Sequence, residues 1–190
     1  YFYLSTPYEN DIKNLLAAIA VISIFKDIRK LDSNIFFKHE ILNGRGDFSQ
    51  IKLFKKNIYL IDQSYNSNPL SMNIALKNFD MIKISPSKKH LILGDMLELG
   101  KYSKKLHLAV FENINRSSIK NVNVIGKHMS DSFRILHENK KGLILKNNSE
   151  IISLIKKTIN NNDYLMIKGS NSTGLNKLTS DIKKQKINAL

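Results

Sequence analysis

The sequence has no cysteine, no tryptophan, three prolines and eight glycines among 190 residues. Without cysteine there is no disulfide scaffold and no thiolate-held zinc or iron–sulfur centre. So little proline and glycine leaves no collagen-like or low-complexity linker segment. No apolar run approaches the roughly 18 residues that a bilayer span needs. The longest candidate, residues 15–25, is short and follows Glu9, Asp11 and Lys13. No signal-peptide pattern precedes it. His39, His90, His107, His128 and His137 form no His-x-x-x-His pair, so no metal site is expected from their spacing. A Gly-x-Ser-x-Gly nucleophile elbow is absent, and so is the Gly-x-x-x-x-Gly-Lys-Ser/Thr phosphate loop.

Acidic residues are also scarce: 16 Asp and Glu stand against 30 Lys and Arg, a net charge of +14. Such a charge first points to nucleic acid or to an anionic membrane. The kind of base argues against this. Only Arg29, Arg45, Arg116 and Arg134 are arginines, and the other 26 basic residues are lysines. Readers of phosphate and guanine favour the bidentate fork of arginine. Lysine, asparagine and isoleucine make up 74 of the 190 residues, and all three have AT-rich codons. A base-composition bias therefore yields this charge without a basic binding face, and no nucleic-acid partner is expected. The competing reading, a basic nucleic-acid module, requires binding that falls steeply with salt.

Hydrophobic residues are 42% of the chain, enough for a packed core. The chain opens with Tyr1 in mid-pattern, so it is expected to be a fragment. Residues 11–25 read as a helix, with Leu15, Ala18, Ile19, Ile22 and Phe25 at helical spacing and Asn10 or Asp11 as cap. A second helix is expected from Ser33 to about Leu42, ended by Asn43-Gly44-Arg45-Gly46. The texture then changes. Residues 51–54 and 58–61 read as a hairpin turning at Lys56-Asn57. Further strands are expected at 90–93, 122–125, 143–145 and 164–167. Helices are expected at 69–81, 103–115, 129–138, 149–159 and 174–184. Pro69 suits a first helical turn, and Ser149 is placed to cap the helix that follows it. This alternation predicts an α/β fold with a mostly parallel sheet covered on both faces. Residues 1–46 are expected to be the end of a preceding domain, and 47–190 the α/β domain.

Ligands of open α/β sheets gather at the carboxyl ends of the strands. Three loops qualify. The first is Asp62-Gln63-Ser64-Tyr65-Asn66-Ser67-Asn68-Pro69, whose amides and hydroxyls suit ribose, a base edge or a peptide, or simply a turn capped by Ser67 or Asn68. The second is Gly94-Asp95-Met96-Leu97-Glu98-Leu99-Gly100, with Asp95 as an acceptor for an ammonium or a metal-bound water. The third, Lys168-Gly169-Ser170-Asn171-Ser172-Thr173-Gly174, offers a lysine and hydroxyls before a helix, a carboxylate or phosphate site. His107 lies within an amphipathic helix and reads as a capping or supporting group rather than a base.

Together these blocks resemble the Mur ligase family, in its branch of UDP-N-acetylmuramoyl-tripeptide:D-alanyl-D-alanine ligases. Asp62 to Pro69 with Ser71-Met72 is similar to that branch's Asp-(Asp/Glu)-Ser-Tyr-Asn-Ala-Asn-Pro-x-Ser-Met signature. Gly94 to Gly100 followed by His107 is similar to its Gly-Asp-Met-x-Glu-Leu-Gly…His block, and Ile167-Lys168-Gly169-Ser170 to its Val-Lys-Gly-Ser block. Asn14-Leu15-Leu16-Ala17-Ala18 resembles a helix late in the family's ATPase domain, and Gly44-Arg45-Gly46 the element that closes that domain. Two departures stand out. The family's His-Asn-x-x-Asn reads Asn10-Asp11-Ile12-Lys13-Asn14, and Gln63 replaces the second acid of the first signature.

The resemblance implies a Rossmann-like C-terminal domain preceded by the tail of the central ATPase domain. It implies a cytoplasmic, monomeric enzyme of peptidoglycan synthesis acting on small molecules. ATP phosphorylates the tripeptide carboxylate, and the D-Ala-D-Ala amine attacks the acyl phosphate. It further implies that Asn14, Arg45, Asp62, Gln63, Tyr65, Asn66 and Asn68 face ATP, and that Asp95, Lys168, Gly169 and Ser170 face the dipeptide. His107 supports the site from behind. Magnesium ligands and the phosphate loop would lie upstream, so the 190 residues alone are expected to be inactive. A sister Mur or folylpolyglutamate ligase is the alternative within the enzyme class.

Overall fold

The computed structural model describes residues 1–3, 9–37 and 43–186, without the side chains of 9–11. It divides into two compact units, Tyr1–Ile41 and Leu42–Leu190. In the first, helix α1 spans Glu9–Phe25 and buries Leu15 while leaving Leu16, Val21, Ile24 and Phe25 exposed. The Asn10 and Asp11 side chains proposed as its cap lie outside the described residues. The Tyr3 amide donates to Ser33 O at 2.8 Å, and Phe2 meets Phe36 edge-on. The helix expected after Ser33 is instead a series of turns over 33–37. The Asp32 carboxylate accepts the Asn34 amide there, an Asx turn that competes with helix, and 38–42 lie outside the described residues.

The second unit opens with a hairpin, β1 (Asp47–Leu53) and β2 (Lys56–Gln63). Its turn is Phe54-Lys55, both at positive φ, rather than Lys56-Asn57. Two left-handed residues match the twist of a two-residue hairpin, but neither is the usual Asn or Gly, so the sequence carried no signal for them. There follow α2 (Pro69–Met81), β3 (Lys89–Gly94), α3 (Ser103–Arg116), β4 (Val122–Ile125), α4 (Lys127–Phe133), β5 (Lys141–Leu145), α5 (Asn148–Thr158), β6 (Tyr164–Lys168) and α6 (Leu175–Lys183). The strands form one sheet in the order β1-β2-β6-β3-β4-β5, parallel except for β1. The fold class is therefore the expected α/β sheet.

Strand parity divides the core. Leu91, Leu93, Val122, Val124 and Met166 pack with α2, α3 and α4. Leu60, Ile92, Leu165 and Ile167 pack with α5 and α6. Each buried Leu, Ile, Met or Phe side chain contributes about 1.5–3 kcal/mol relative to exposure.

The helix ends explain two differences from the sequence reading. Asn147, not Ser149, caps α5 by accepting the Glu150 amide. Helix α4 stops at Phe133 because Asn115 takes up the backbone beyond it, donating to Ile135 O and accepting the His137 amide. Asn68 caps α2 in a reciprocal box with Ser71, with Pro69 in the first turn.

At the amino ends of the strands, lysines serve the helices' last carbonyls. Lys89 donates to Asp80 O in the last turn of α2, Lys140 to Ser117 O and Ile119 O after α3, and Lys56 to Lys156 O and Ile159 O around the end of α5. Part of the lysine excess thus neutralises the negative ends of helices inside the fold.

Candidate functional site

Strands β2, β6 and β3 are neighbours, so their carboxyl ends bring the three polar loops side by side. Ser170 ties them together. Its amide donates to Asp95 O at 3.0 Å, its hydroxyl accepts the Leu97 amide at 3.0 Å, and the same hydroxyl points to Ser67 O at 3.4 Å. The loops after β3 and β6 approach so closely that a Cβ on Gly169 would stand 3.0 Å from the Gly94 Cα and 2.8 Å from a Leu175 methyl. Only glycine fits between these two chains.

These loops enclose an open cleft of about 490 Å³, lined by Tyr65 and Asn66, Leu97 and Glu98, and Ser170, Asn171 and Ser172. Its lining is polar, with one carboxylate, so it suits a small polar ligand rather than an apolar one.

Arg45 is brought to the same place. Gly46 N donates to Asp62 O and Tyr65 N to Gly44 O, zipping the Gly-Arg-Gly segment along the first loop. The Arg45 guanidinium lies 4.4 Å from the Tyr65 ring centroid, a cation–π contact that holds a positive charge beside the cleft. Gln63 is partly exposed at the end of β2, opposite Lys168.

Several sequence-predicted site residues turn out to work inside the fold. The buried Asp62 carboxylate accepts from Ser64 N, Ser64 Oγ and Lys183 Nζ, and Lys183 also bonds Asp47. Burial alone would lower the Lys183 pKa, but its bonds to Asp47 and Asp62 outweigh this and raise it. Asp95 accepts the Met129 amide at 2.8 Å and the His128 amide at 3.3 Å, so its charge faces the start of α4. Gly126 permits this: its φ is 102°, and a Cβ there would stand 2.5 Å from the Asp95 carboxyl carbon. Asn68 is occupied in capping α2. Asn14 belongs to the other unit.

His107 is fully buried and holds the second loop. Its Nε2 accepts the Met96 amide at 3.1 Å, which leaves Nδ1 to donate to Ser103 O at 2.8 Å. That pattern requires a neutral ring. Burial lowers its pKa, against smaller upward contributions from the Ser103 carbonyl and Asp95 and a further lowering by His128.

Lys168 is 1% exposed and bonds only to Asn66 O, at 3.1 Å, among the described residues. Burial pushes its pKa down to about 8. Next to it in the loop, the buried Ser67 hydroxyl has no hydrogen-bond partner among the described residues. No group of three His, Asp or Glu among the described residues is placed to hold a metal ion.

Sequence reasoning missed Lys183, whose only signal is its position in an amphipathic helix. It also left Leu97, Glu98 and Asn171 without a role, although it quoted the loops that contain them.

A known family model, Mur ligase, glutamate ligase domain, matches residues 48–171, which include the first two loops and the third as far as Asn171. The chain belongs to the Mur ligase family. Among curated relatives, the UDP-N-acetylmuramoyl-tripeptide--D-alanyl-D-alanine ligase of Buchnera aphidicola subsp. Acyrthosiphon pisum is 35% identical over 136 residues, 70% of this chain and 28% of that protein. The ligase of the same name from Buchnera aphidicola subsp. Baizongia pistaciae is 30% identical over 191 residues, 96% of this chain and 39% of that protein. This Mur ligase chain thus spans well under half the length of these relatives. Its fold matches that of MurF from Thermotoga maritima in complex with ADP, with a TM-score of 0.74 at 19% identity over 100% of this chain and 42% of that one. A MurF structure from Acinetobacter baumannii gives a TM-score of 0.75 at 22% identity, over 96% and 40% of the two chains.

Proposed function

We propose that this chain supplies the C-terminal part of an ATP-dependent amide ligase that joins D-Ala-D-Ala to UDP-MurNAc-tripeptide in peptidoglycan synthesis. The observation that carries the reading is the cleft at the ends of β2, β6 and β3. Each of its three loops holds one of the motif blocks found in ligases of that specificity. The named relatives support the same reading.

In this role the chain positions substrates and holds charge; it provides no nucleophile of its own. Arg45, stacked on Tyr65, would meet phosphate oxygens, where a guanidinium binds bidentately. Tyr65, Asn66 and Gln63 would lie along the nucleotide, while Asp62 fixes their loop from beneath. Lys168, a buried cation with no carboxylate beside it among the described residues, would face the dipeptide carboxylate. Asp95, Gly169, Ser170 and His107 set the shape of that half of the cleft. Asn14 would meet the adenine from the ATPase domain, and magnesium would be held there too. Residues 1–46 would be the end of that domain. No helix among the described residues is long and apolar enough to cross a membrane. By its nucleotide-linked substrates the ligase would act in the cytoplasm, as a monomer on small molecules.

The test is a fusion of this chain behind the upstream part of the relative from Buchnera aphidicola subsp. Acyrthosiphon pisum, assayed with ATP, UDP-MurNAc-tripeptide and candidate amines. Formation of pentapeptide and ADP with D-Ala-D-Ala is the expected result, and the 190 residues alone should give none. Ligation of a single amino acid in preference to the dipeptide would assign the chain to a sister ligase.

A further inference from the structure

Three acids stand at the strand ends that make the cleft, and two are already engaged. Asp62 is held by Ser64 and Lys183, and Asp95 by the amides of His128 and Met129. Glu98 is different. It is exposed, lines the cleft, and forms no ion pair or hydrogen bond with any described residue. Among the cleft-lining residues it is the one carboxylate.

Its backbone is also unusual. Glu98 has φ 62°, in the left-handed region that glycine or asparagine adopts more easily. The segment before it is pinned by the Met96 and Leu97 amides on His107 and Ser170, and after it Leu99 O accepts the Tyr102 amide. A strained residue fixed on both sides, with an unpaired charge in a cleft, points to a role for that charge.

We infer that the Glu98 carboxylate binds the primary ammonium of the incoming amine substrate. The inference rests on the ligase reading above and names the group within the cleft that selects a cationic amine. In a chain of net charge +14 an ammonium is repelled by most of the surface. A lone carboxylate in a partly enclosed cleft is where it would settle. A volume of about 490 Å³ accommodates a molecule the size of a dipeptide, with the Asn171 amide and the Ser172 hydroxyl available to its peptide group. The role is charge pairing and orientation; no proton transfer is assigned to Glu98.

The experiment titrates D-Ala-D-Ala and its N-acetylated form into the 190-residue chain, following amide shifts by NMR, for the parent and for Glu98→Gln and Glu98→Gly. Glycine tests the charge without the strain, and its melting temperature should equal or exceed that of the parent. The expected result is that N-acetylation weakens binding to the parent about 10-fold or more. Both variants should lose the same factor for the free dipeptide, with no change for the acetylated one. Equal affinity of the parent and both variants for the free dipeptide overturns the assignment of Glu98. Failure of the parent to bind the dipeptide at all overturns the ligase reading itself, and this inference with it.

Discussion

The Ser170 hydroxyl accepts the Leu97 amide at 3.0 Å across 73 residues of chain, joining the loop after β6 to the loop after β3. With the Ser170 amide on Asp95 O, it sets the separation of two sides of the cleft. Replacing Ser170 by Ala leaves a part-buried N–H without its partner, at a cost of about 1–3 kcal/mol. We expect a lower melting temperature together with a higher KM for the amine substrate. An unchanged KM would mean that the loops hold their spacing by packing alone.

The two buried histidines among the described residues make the fold acid-sensitive. His90, paired with Asp163 at 3.0 Å, has its pKa lowered by burial, against an upward pull from Asp163, and His107 is lowered for the reasons given above. An unfolded chain protonates both near pH 6.5, whereas the folded chain resists until lower pH. The unfolded state therefore binds more protons in that window, and stability falls as pH drops below about 6.5. Melting temperatures between pH 7.5 and 5 should decline. In His107→Gln, whose amide oxygen can still accept the Met96 N–H, the decline should be shallower. An identical decline in the variant would place the acid sensitivity elsewhere.

Lys168 should oppose stability to serve the site. Its folded pKa of about 8 lies below the unfolded 10.5, so below pH 8 its charge is carried at a cost. As pH rises from about 8 to 10.5 the unfolded state keeps the extra proton and this cost is relieved. Lys168→Met removes the charge and one hydrogen bond, and should gain on the order of 1–2 kcal/mol at pH 7. The gap between variant and parent should narrow by pH 9.5. Dipeptide binding should weaken in the same variant, the exchange of stability for function common at sites. A destabilised variant at pH 7 would show that the bond to Asn66 O outweighs the desolvation.

These contrasts show what a linear reading can reach. The sheet and its helices were legible because β3, β4 and β6 are short apolar runs between periodic helices, and Pro69 and Asn68 mark a helix start in any context. The three loops were legible because polar and small residues follow apolar strands. The partners of each side chain were not. Nothing near Asp62 in sequence reveals that Lys183 takes its charge, and nothing near Asp95 reveals that α4 turns its first amides onto it. Those pairings span 121 and 34 residues and depend on strand order. The hairpin turn was misplaced for a local reason: Phe54 reads as a strand residue, yet adopts φ 49° because the pairing of Leu53 with Lys56 leaves two residues to close the loop.

The central claim is that the cleft at the ends of β2, β6 and β3 receives the amine substrate. Titrating 15N-labelled chain with D-Ala-D-Ala locates the site directly. Amide shift changes should be concentrated at Leu97, Glu98 and 170–172, with His90, Asp163 and Lys140 at the opposite ends of the strands unmoved. Changes confined to that opposite end, or none at saturating dipeptide, would contradict it.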